Sequence, residues 1–516
     1  MHEPPQNTVE TRFGRNDWSL SNLAVIALLA VFAFLVMGYH PGLEDDAFYL
    51  AAIKKDLNPA LFPHDSDFFT VQFQATIFDK LVAFSVRLTH LPLAWAALIW
   101  QFVAIFFLLH GCWRISRRCF SDGAAQWAAV ALIAALLTLP VSGTGVNLAD
   151  QHLHPRMLAT AAILAAVVAV LDRRWWRAGF LLAVAASIHV IMAAFGISLC
   201  AFLLWQQRGS LRIRSSPATV AAAFLFPLGW MFEPASDAWH QAASSRSFYY
   251  LQSWEWYEWL GLVAPFVLLY VFLRFLHRRT VTGNDILIRL ITGLILYAAF
   301  QTLVGLAIML PLSLERLRPL EPMRYLHLLY LFFFLIVGGL IGQYVLQRRL
   351  YRWALLFVPL SAGMFYAQRQ LYPATEHLEW PGATSRNNWL QAFGWIRQNT
   401  PMDAQFALDP HYIELPGEDY HGFRALAERS VLADYVKDGG MAARVPHLAP
   451  RWLKEVEAQM GWRNFQGADF ERLKHEFGVS WVVLSRADAG YANPHTSSVI
   501  CPYSNEAVKV CQLHYY

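Results

Sequence analysis

LSNLAVIALLAVFAFLVMGYHPGLEDDAFYLAAIKKDL, residues 20–57, decides the fold class. It opens with an uninterrupted apolar run of about 20 residues, the length that crosses a bilayer as a helix. About six residues past the run come three consecutive acids, Glu44, Asp45 and Asp46. Carboxylates at the edge of a nonpolar slab are costly to draw inside it, and ionisable groups retained there are function candidates by default. No small-residue cleavage site follows the run, so it reads as a true span rather than a signal peptide.

The rest of the chain repeats the pattern. Of 516 residues, 56% are hydrophobic and only 15% charged, where soluble domains carry roughly a quarter charged. The apolar excess stops near residue 370. Three regions follow: a cytoplasmic N-terminal tail (1–18), a transmembrane region (19–370) with a long first outer loop (39–90), and a soluble α/β region (375–516). The net charge of +4 is too small to suggest nucleic acid as a partner. Cys112, Cys119 and Cys200 lie in or beside apolar runs, and no CxxC is present, which argues against zinc or redox chemistry. Cys501 and Cys511 lie in the soluble tail, where an oxidising compartment would let them join across a hairpin.

Candidate spans are 19–38, 91–111, 124–141, 156–171, 178–205, 217–232, 259–276, 286–310, 324–346 and 351–368. Basic clusters separate them: RISRRC (114–119), DRRWWR (172–177), QQRGSLRIR (206–214), RFLHRR (274–279) and QRRLYR (347–352). The positive-inside rule puts all five in the cytoplasm. That holds only if 178–205, too long for one pass, breaks near Ser187-Ile188-His189 into two short helices. The expectation is therefore about eleven helical passes, a cytoplasmic N-terminus and an extracytoplasmic C-terminal domain, all in the cytoplasmic (inner) membrane. In the first loop, residues 71–88 carry apolar residues at helical spacing and read as an interfacial helix.

On this topology the unusual polar residues share the outer face. The first loop brings Glu44, Asp45 and Asp46. The second, SGTGVNLADQHLHPR (142–156), brings Asp150, His152, His154 and Arg156. The loop 233–258 holds Arg246 among many aromatics, and PLSLERLRPLEPMRYLH (311–327) brings Arg316, Arg318 and Arg324. Arginines outside run against the positive-inside trend and need an anionic partner; phosphate suits the planar guanidinium. Each group also has a plainer reading. The acid triplet suits the start of a helix over AFYLAAIKKDL. The arginines suit Glu315, Glu321 or lipid headgroups, Arg156 a snorkelling role, and the aromatics an interfacial belt.

In the tail, 388–399 reads as an amphipathic helix ended by Thr400-Pro401. Strands are expected at 405–408, 430–432, 481–484 and 508–515, and helices at 450–460 and 468–477. The polar stretch containing His411, Glu414, His421 and Arg424 reads as a solvated loop.

The acid pair just after the first span, the long first outer loop, the many-helix bundle and the α/β tail together resemble the GT-C superfamily of membrane glycosyltransferases. So do WIRQNTPMDAQFAL (395–408), FRALAERSVLADY (423–435) and LKHEFGVSWVVLSR (473–486), which are similar to segments of bacterial GT-C-like proteins. The resemblance implies transfer of a sugar from a polyprenyl-phosphate donor to a glycan, lipid or protein acceptor on the outer face. It implies a catalytic role for Asp45 or Asp46, with Asp45 preferred as the central acid and Glu44 beside them. Asp150, His152, His154 and Arg156 would bind substrate, and Arg324 with Arg316 or Arg318 would hold the lipid phosphate. A divalent cation on Asp45, Asp46 and Asp150 is optional in this reading. The tail has no WWDYG-like acceptor motif, which argues against an oligosaccharyltransferase. A catalytically silent envelope scaffold and a lipid-linked substrate transporter or flippase are the alternatives; the near absence of acids within the spans argues against ion-coupled transport.

Overall fold

A computed structural model describes residues 17–74, 76–208, 235–278, 285–418, 421–492 and 499–514. Five of its helices are long and apolar enough to cross a membrane: Leu20–Met37, Leu93–Cys119, Trp256–Arg278, Asp285–Met309 and Pro322–Leu346. Four shorter apolar helices stand among them, Gly123–Ala135, Pro155–Leu171, Trp175–Ile188 and Val190–Gln206. The chain is a helical membrane protein. The expected span 217–232 lies outside the described residues.

Two local features of the bundle bear on the site. The long apolar run 178–205 divides where expected: one helix ends at Ile188, His189 is extended (φ −154°, ψ 99°), and the next helix starts at Val190. The carbonyl of Ser187, freed by the break, accepts the Ile77 backbone N–H from the first outer loop at 2.9 Å. Such a break is tolerated at depth only when other protein groups satisfy it. The span expected at 124–141 is corrected. Its helix stops at Ala135, and a hairpin follows, β1 (Pro140–Val141) pairing antiparallel with β2 (Val146–Asn147). Pro140 offers no N–H and disfavours helical geometry in the residue before it.

The bundle packs around the Tyr325–Ile341 helix, whose Gly338 and its neighbour Gly342 lie against the Gly123–Ala135 helix. A Cβ at Gly342 would stand 2.6 Å from the Ala128 Cβ, and one at Gly338 would stand 2.8 Å from the Ala128 carbonyl. Small residues one turn apart bring the two backbones close, as membrane helices do where no hydrophobic drive separates lipid from protein.

The first outer loop holds two helices, Asp46–Leu57 and Phe78–Thr89. The second is half the length of a span. It buries Phe78, Val82 and Ala83 and exposes Phe84 and Leu88.

The tail folds into a five-stranded sheet ordered β4-β3-β5-β7-β6: β3 (Gln405–Ala407), β4 (Ser430–Val431), β5 (Trp481–Ser485), β6 (Val499–Ser504) and β7 (Val508–Leu513). β3 runs parallel to β4 and β5, and β7 runs antiparallel to β5 and β6. Helices Asn388–Asn399, Ala449–Gln459 and Gly467–Phe477 accompany it, and Phe393, Ile396, Phe406, Val483 and Val510 share its core. Cys501 and Cys511 are disulfide-bonded across β6 and β7.

The tail is clamped to the first outer loop. The Gly422 N–H donates to the Gly42 carbonyl at 2.8 Å, and Leu43 bridges His421. Lys54 Nζ lies 2.7 Å from Glu428 Oε1. Arg424, expected in a solvated loop, is buried between Asp65 of the first loop and Asp438, whose Oδ1 accepts from Nη1 at 2.9 Å. Burial of an arginine demands paired carboxylates, and here they come from positions 359 and 14 residues away.

Candidate functional site: a cation-lined cavity

The backbone leaving the first span makes three left-handed turns in seven residues, Gly38 (φ +84°), Gly42 (φ +83°) and Glu44 (φ +50°). The last of these separates the three acids. Asp46 opens the Asp46–Leu57 helix and folds back, its Oδ2 accepting the Gly42 N–H at 2.6 Å. Glu44 and Asp45 face the other way, into a cavity of about 210 Å³. Asp45 occupies the N-cap position of the helix and makes no side-chain cap bond there. The capping role suggested for the triplet is thus not taken up: the bond of Asp46 goes to Gly42, outside the helix, and no acid side chain caps its first turn.

The cavity draws on distant segments. The hairpin and the stretch after it supply Asn147, Asp150, Gln151, His152 and Arg156. The loop before Trp256 supplies Arg246 and Phe248, and the turn before the Tyr325–Ile341 helix supplies Glu321 and Arg324. The tail supplies Lys437 and Arg444. Among the described residues that makes five cations against four carboxylates around one space. Lys437 Nζ bonds the Glu44 carboxylate and lies 3.3 Å from Asp45 Oδ1. Arg156 bonds Asp150. Glu321 serves two arginines, with Oε2 2.6 Å from Arg324 Nη1 and Oε1 2.8 Å from Arg444 Nη2. The Arg246 guanidinium makes no hydrogen bond or ion pair among the described residues; its central carbon stands 5.9 Å from the Phe248 ring centroid. Arg156 is 2% exposed, yet its Nε and Nη1 lack partners, as does Nε of Arg324. Buried donors without acceptors, aimed into a polar cavity, are the mark of a site awaiting an anion.

His154 stands behind the cavity, between two of its four acids, Asp45 and Asp150. Its Nδ1 accepts the Arg156 backbone N–H at 3.0 Å, so in the neutral ring the proton sits on Nε2. That nitrogen faces Asp45 Oδ2 at 3.8 Å. Burial lowers the His154 pKa to about 4, with Asp150 opposing and Arg156 assisting, so the ring is neutral at pH 7. Burial alone would raise the Asp45 carboxyl, but Lys437, His154 and Arg246 outweigh it and hold it well below the usual carboxylate range. Asp150 is likewise lowered against its burial, chiefly by Arg156. Asp46 differs: burial raises it, opposed by His152 and the Gly42 N–H.

Of the residues singled out in the sequence, Glu44, Asp45, Asp150, His152, Arg156 and Arg324 line this one cavity. Asp46, His154, Arg316 and Arg318 do not. The left-handed Glu321 (φ +55°) accounts for the split among the arginines. Before this kink, Arg318 lies over the Tyr250 ring at 5.1 Å; after it, Arg324 turns into the cavity. A divalent cation does not fit the acids present, since Asp45 and Asp150 are already engaged by Lys437 and Arg156 and Asp46 points elsewhere. Among the described residues no three His, Cys, Asp or Glu side chains are grouped to hold a metal. Arg246, one of the polar residues the sequence places in the loop 233–258, joins the cavity, and so do Lys437 and Arg444 of the tail, which no apolar run marks out. Lys437 and Arg444 stand seven apart on one helix, Lys437–Arg444, hence on one face, and that spacing was the available signal.

No family model and no curated protein matches this chain. Two solved structures are similar to it over most of its length. One is an oligosaccharyltransferase of Archaeoglobus fulgidus in the apo form: 13% identity, TM-score 0.36, covering 91% of this chain and 70% of that one. The other is the oligosaccharyltransferase AglB of the same organism, in complex with an inhibitory peptide and a dolichol-phosphate: 14% identity, TM-score 0.38, covering 91% and 69%.

Proposed function

We propose that the protein is a glycosyltransferase that moves a sugar from a polyprenyl-phosphate-linked donor to an acceptor at the outer face of the cytoplasmic membrane. One observation carries the reading: Asp45 shares a small polar cavity with Arg156, Arg246, Arg324 and Arg444, several of whose N–H groups have no partner. The guanidinium groups suit the phosphate, as ground-state ligands and as stabilisers of the charge that grows on it when the sugar–oxygen bond breaks. The anomeric carbon becomes positive in that step, and Asp45, ionised throughout the neutral range, stabilises it and orients the acceptor hydroxyl. A carboxylate with so low a pKa is a weak base. The departing phosphate monoester has a second pKa near 6 and is the better sink for the acceptor's proton. His154 does not compete for that proton, because its Nε2, which faces Asp45 Oδ2 at 3.8 Å, already carries one.

The test is transfer from a polyprenyl-phosphate sugar by the purified protein. Asp45→Asn should lower turnover by about 10² to 10³, the range for losing one preorganised electrostatic group, with little change in donor KM. Undiminished turnover would remove Asp45 as a catalytic group. The sidedness is part of the proposal. A reporter fused after Tyr516 should read outside, and a cytoplasmic signal would put the cavity on the wrong face for this donor.

A further inference from the structure

We propose that the cleft between the Tyr39–Pro41 segment and the Asn388–Asn399 helix is a binding site for an uncharged glycan chain. The cleft has a volume of about 590 Å³. It is separate from the cation-lined cavity. His40 stands between them, its ring 4.5 Å from that of Tyr372 on one side and its Nδ1 2.7 Å from Glu379 on the other.

Three observations point to carbohydrate. First, the cleft presents aromatic faces at its rim. Trp395 and Tyr503 lie 5.2 Å apart with planes 31° from parallel, and Trp380, 46% exposed, also lines the cleft. Neither the Trp380 nor the Trp395 indole N–H has a hydrogen-bond partner among the described residues, and neither does the Gln398 amide. A sugar ring meets this arrangement with its C–H face on an indole and its hydroxyls at the donors on the edge.

Second, the charges in the cleft are already spent. Arg397 pairs with Glu428, Glu376 with Arg386, and Glu379 with His40 and His421. Among the described residues no cation of the cleft is left over for a phosphate, in contrast to the other cavity.

Third, Gly394 lies in the middle of the Asn388–Asn399 helix on the cleft wall. A Cβ there would meet nothing within 4 Å. Glycine inside a helix costs roughly 0.5–1 kcal/mol relative to alanine, and no packing requirement of the protein explains it. It leaves the strip of backbone beside Trp395 open to a flat ring.

This inference does not depend on the phosphate cavity. The experiment is calorimetric titration of the full chain in detergent with four probes: cellohexaose, maltohexaose, chitohexaose and mannohexaose. At least one should bind. Gly394→Leu, which fills the cleft without touching the core, and Trp380→Ala should each weaken that binding about tenfold, ~1.4 kcal/mol. Gly394→Leu should bind farnesyl phosphate as the wild type does, which separates failure here from failure of the phosphate reading. Absence of binding by all four probes overturns the proposal, and so does binding unaffected by both substitutions. Displacement of a bound hexaose by a Gly-Ser decapeptide would assign the cleft to extended peptide and overturn it as well.

Discussion

Arg246→Gln is the cleanest perturbation of the cation-lined cavity. The other four cations each have a carboxylate: Glu44 and Asp45 for Lys437, Asp150 for Arg156, and Glu321 for Arg324 and Arg444. Removing Lys437 or Arg156 strands a partly buried acid, and removing Arg324 or Arg444 takes one of the two cations that hold Glu321. Breaking a buried pair in this way costs about 3–5 kcal/mol of stability, so a lost activity would say nothing specific. Arg246 strands nothing. With it the five cations exceed the four carboxylates by one, and without it the cavity is neutral. A single excess positive charge suits a phosphodiester, which carries one negative charge.

A hydrogen bond to a charged group contributes about 1.5–3 kcal/mol, and tenfold in Kd is about 1.4 kcal/mol. Arg246→Gln should therefore weaken binding of farnesyl phosphate, a short isoprenyl phosphate, by about 10- to 150-fold. Unfolding should be almost unaffected. Gly440 supplies an internal check, because a Cβ there would lie 2.5 Å from Arg246 Nε. Gly440→Ala should displace the arginine and weaken the same binding in the same direction. The assay is calorimetric titration of the detergent-solubilised chain, with farnesol as the phosphate-free control and a salt series, since an exposed ionic contact weakens with ionic strength. Affinity for farnesyl phosphate unchanged within twofold in Arg246→Gln would refute the assignment of the cavity to phosphate. So would equal affinity of the wild type for farnesol.

Two further predictions concern the clamp between tail and first loop. Arg424→Met leaves Asp65 and Asp438, both fully buried, without their cation. It should cost about 3–5 kcal/mol, read as a lower thermal midpoint and faster proteolytic cutting between the first span and the Phe78–Thr89 helix; an unchanged midpoint would contradict the burial argument. Glu379 gives a pH signature. Burial would raise its carboxyl, but His421 and His40 outweigh it and hold it at about 2, below the ordinary value near 4.5. A depressed folded pKa adds stability that is complete above pH 4.5 and is lost as pH falls through 2. The stability gap between wild type and Glu379→Gln, on the order of 3 kcal/mol, should close over that window, and a gap that is constant with pH would refute the pairing.

Much of this architecture follows from short-range signals. The helices follow the apolar runs, and the division of 178–205 follows from its length together with the sign of the flanking loops. In the tail, the Asn388–Asn399 helix and strands β3, β4, β5 and β7 follow from period and punctuation. The first strand of the hairpin, Pro140–Val141, falls within the expected span 124–141 because Leu136–Val141 is largely apolar in either state, whereas Val146–Asn147 falls in the expected loop. β6 carries alternating burial over VICPYS, with a proline and no β-branched run to announce it. The site was half legible. Glu44, Asp45, Asp150 and Arg324 stand out because charge beside an apolar run is costly. Lys437 and Arg444 sit in an ordinary soluble helix, where charge costs nothing. Their role depends on the tail docking through Asp65, Arg424 and Asp438, a contact that local sequence does not encode.

The acid triplet shows how one backbone angle divides labour among like residues. With Glu44 in the right-handed region, Asp45 and Asp46 would continue one helical turn, and both would serve its free N–H groups. At φ +50° the chain reverses first, so Asp46 takes the Gly42 N–H and Asp45 is left at the N-cap position without a capping bond. A capping side chain commonly contributes about 1 kcal/mol, and Asp45 forgoes it. A residue type strongly favoured at that position, present there and yet turned away from the helix, breaks a local rule with no local compensation. Such departures collect at functional sites. The helix still acts on Asp45, because its positive end favours the ionised carboxylate and adds to the effect of Lys437. The lysine comes from the docked tail, so the charge state of the central acid depends on both halves of the protein. Undocking the tail would therefore raise the Asp45 pKa and empty the cavity of Lys437 and Arg444 in one event.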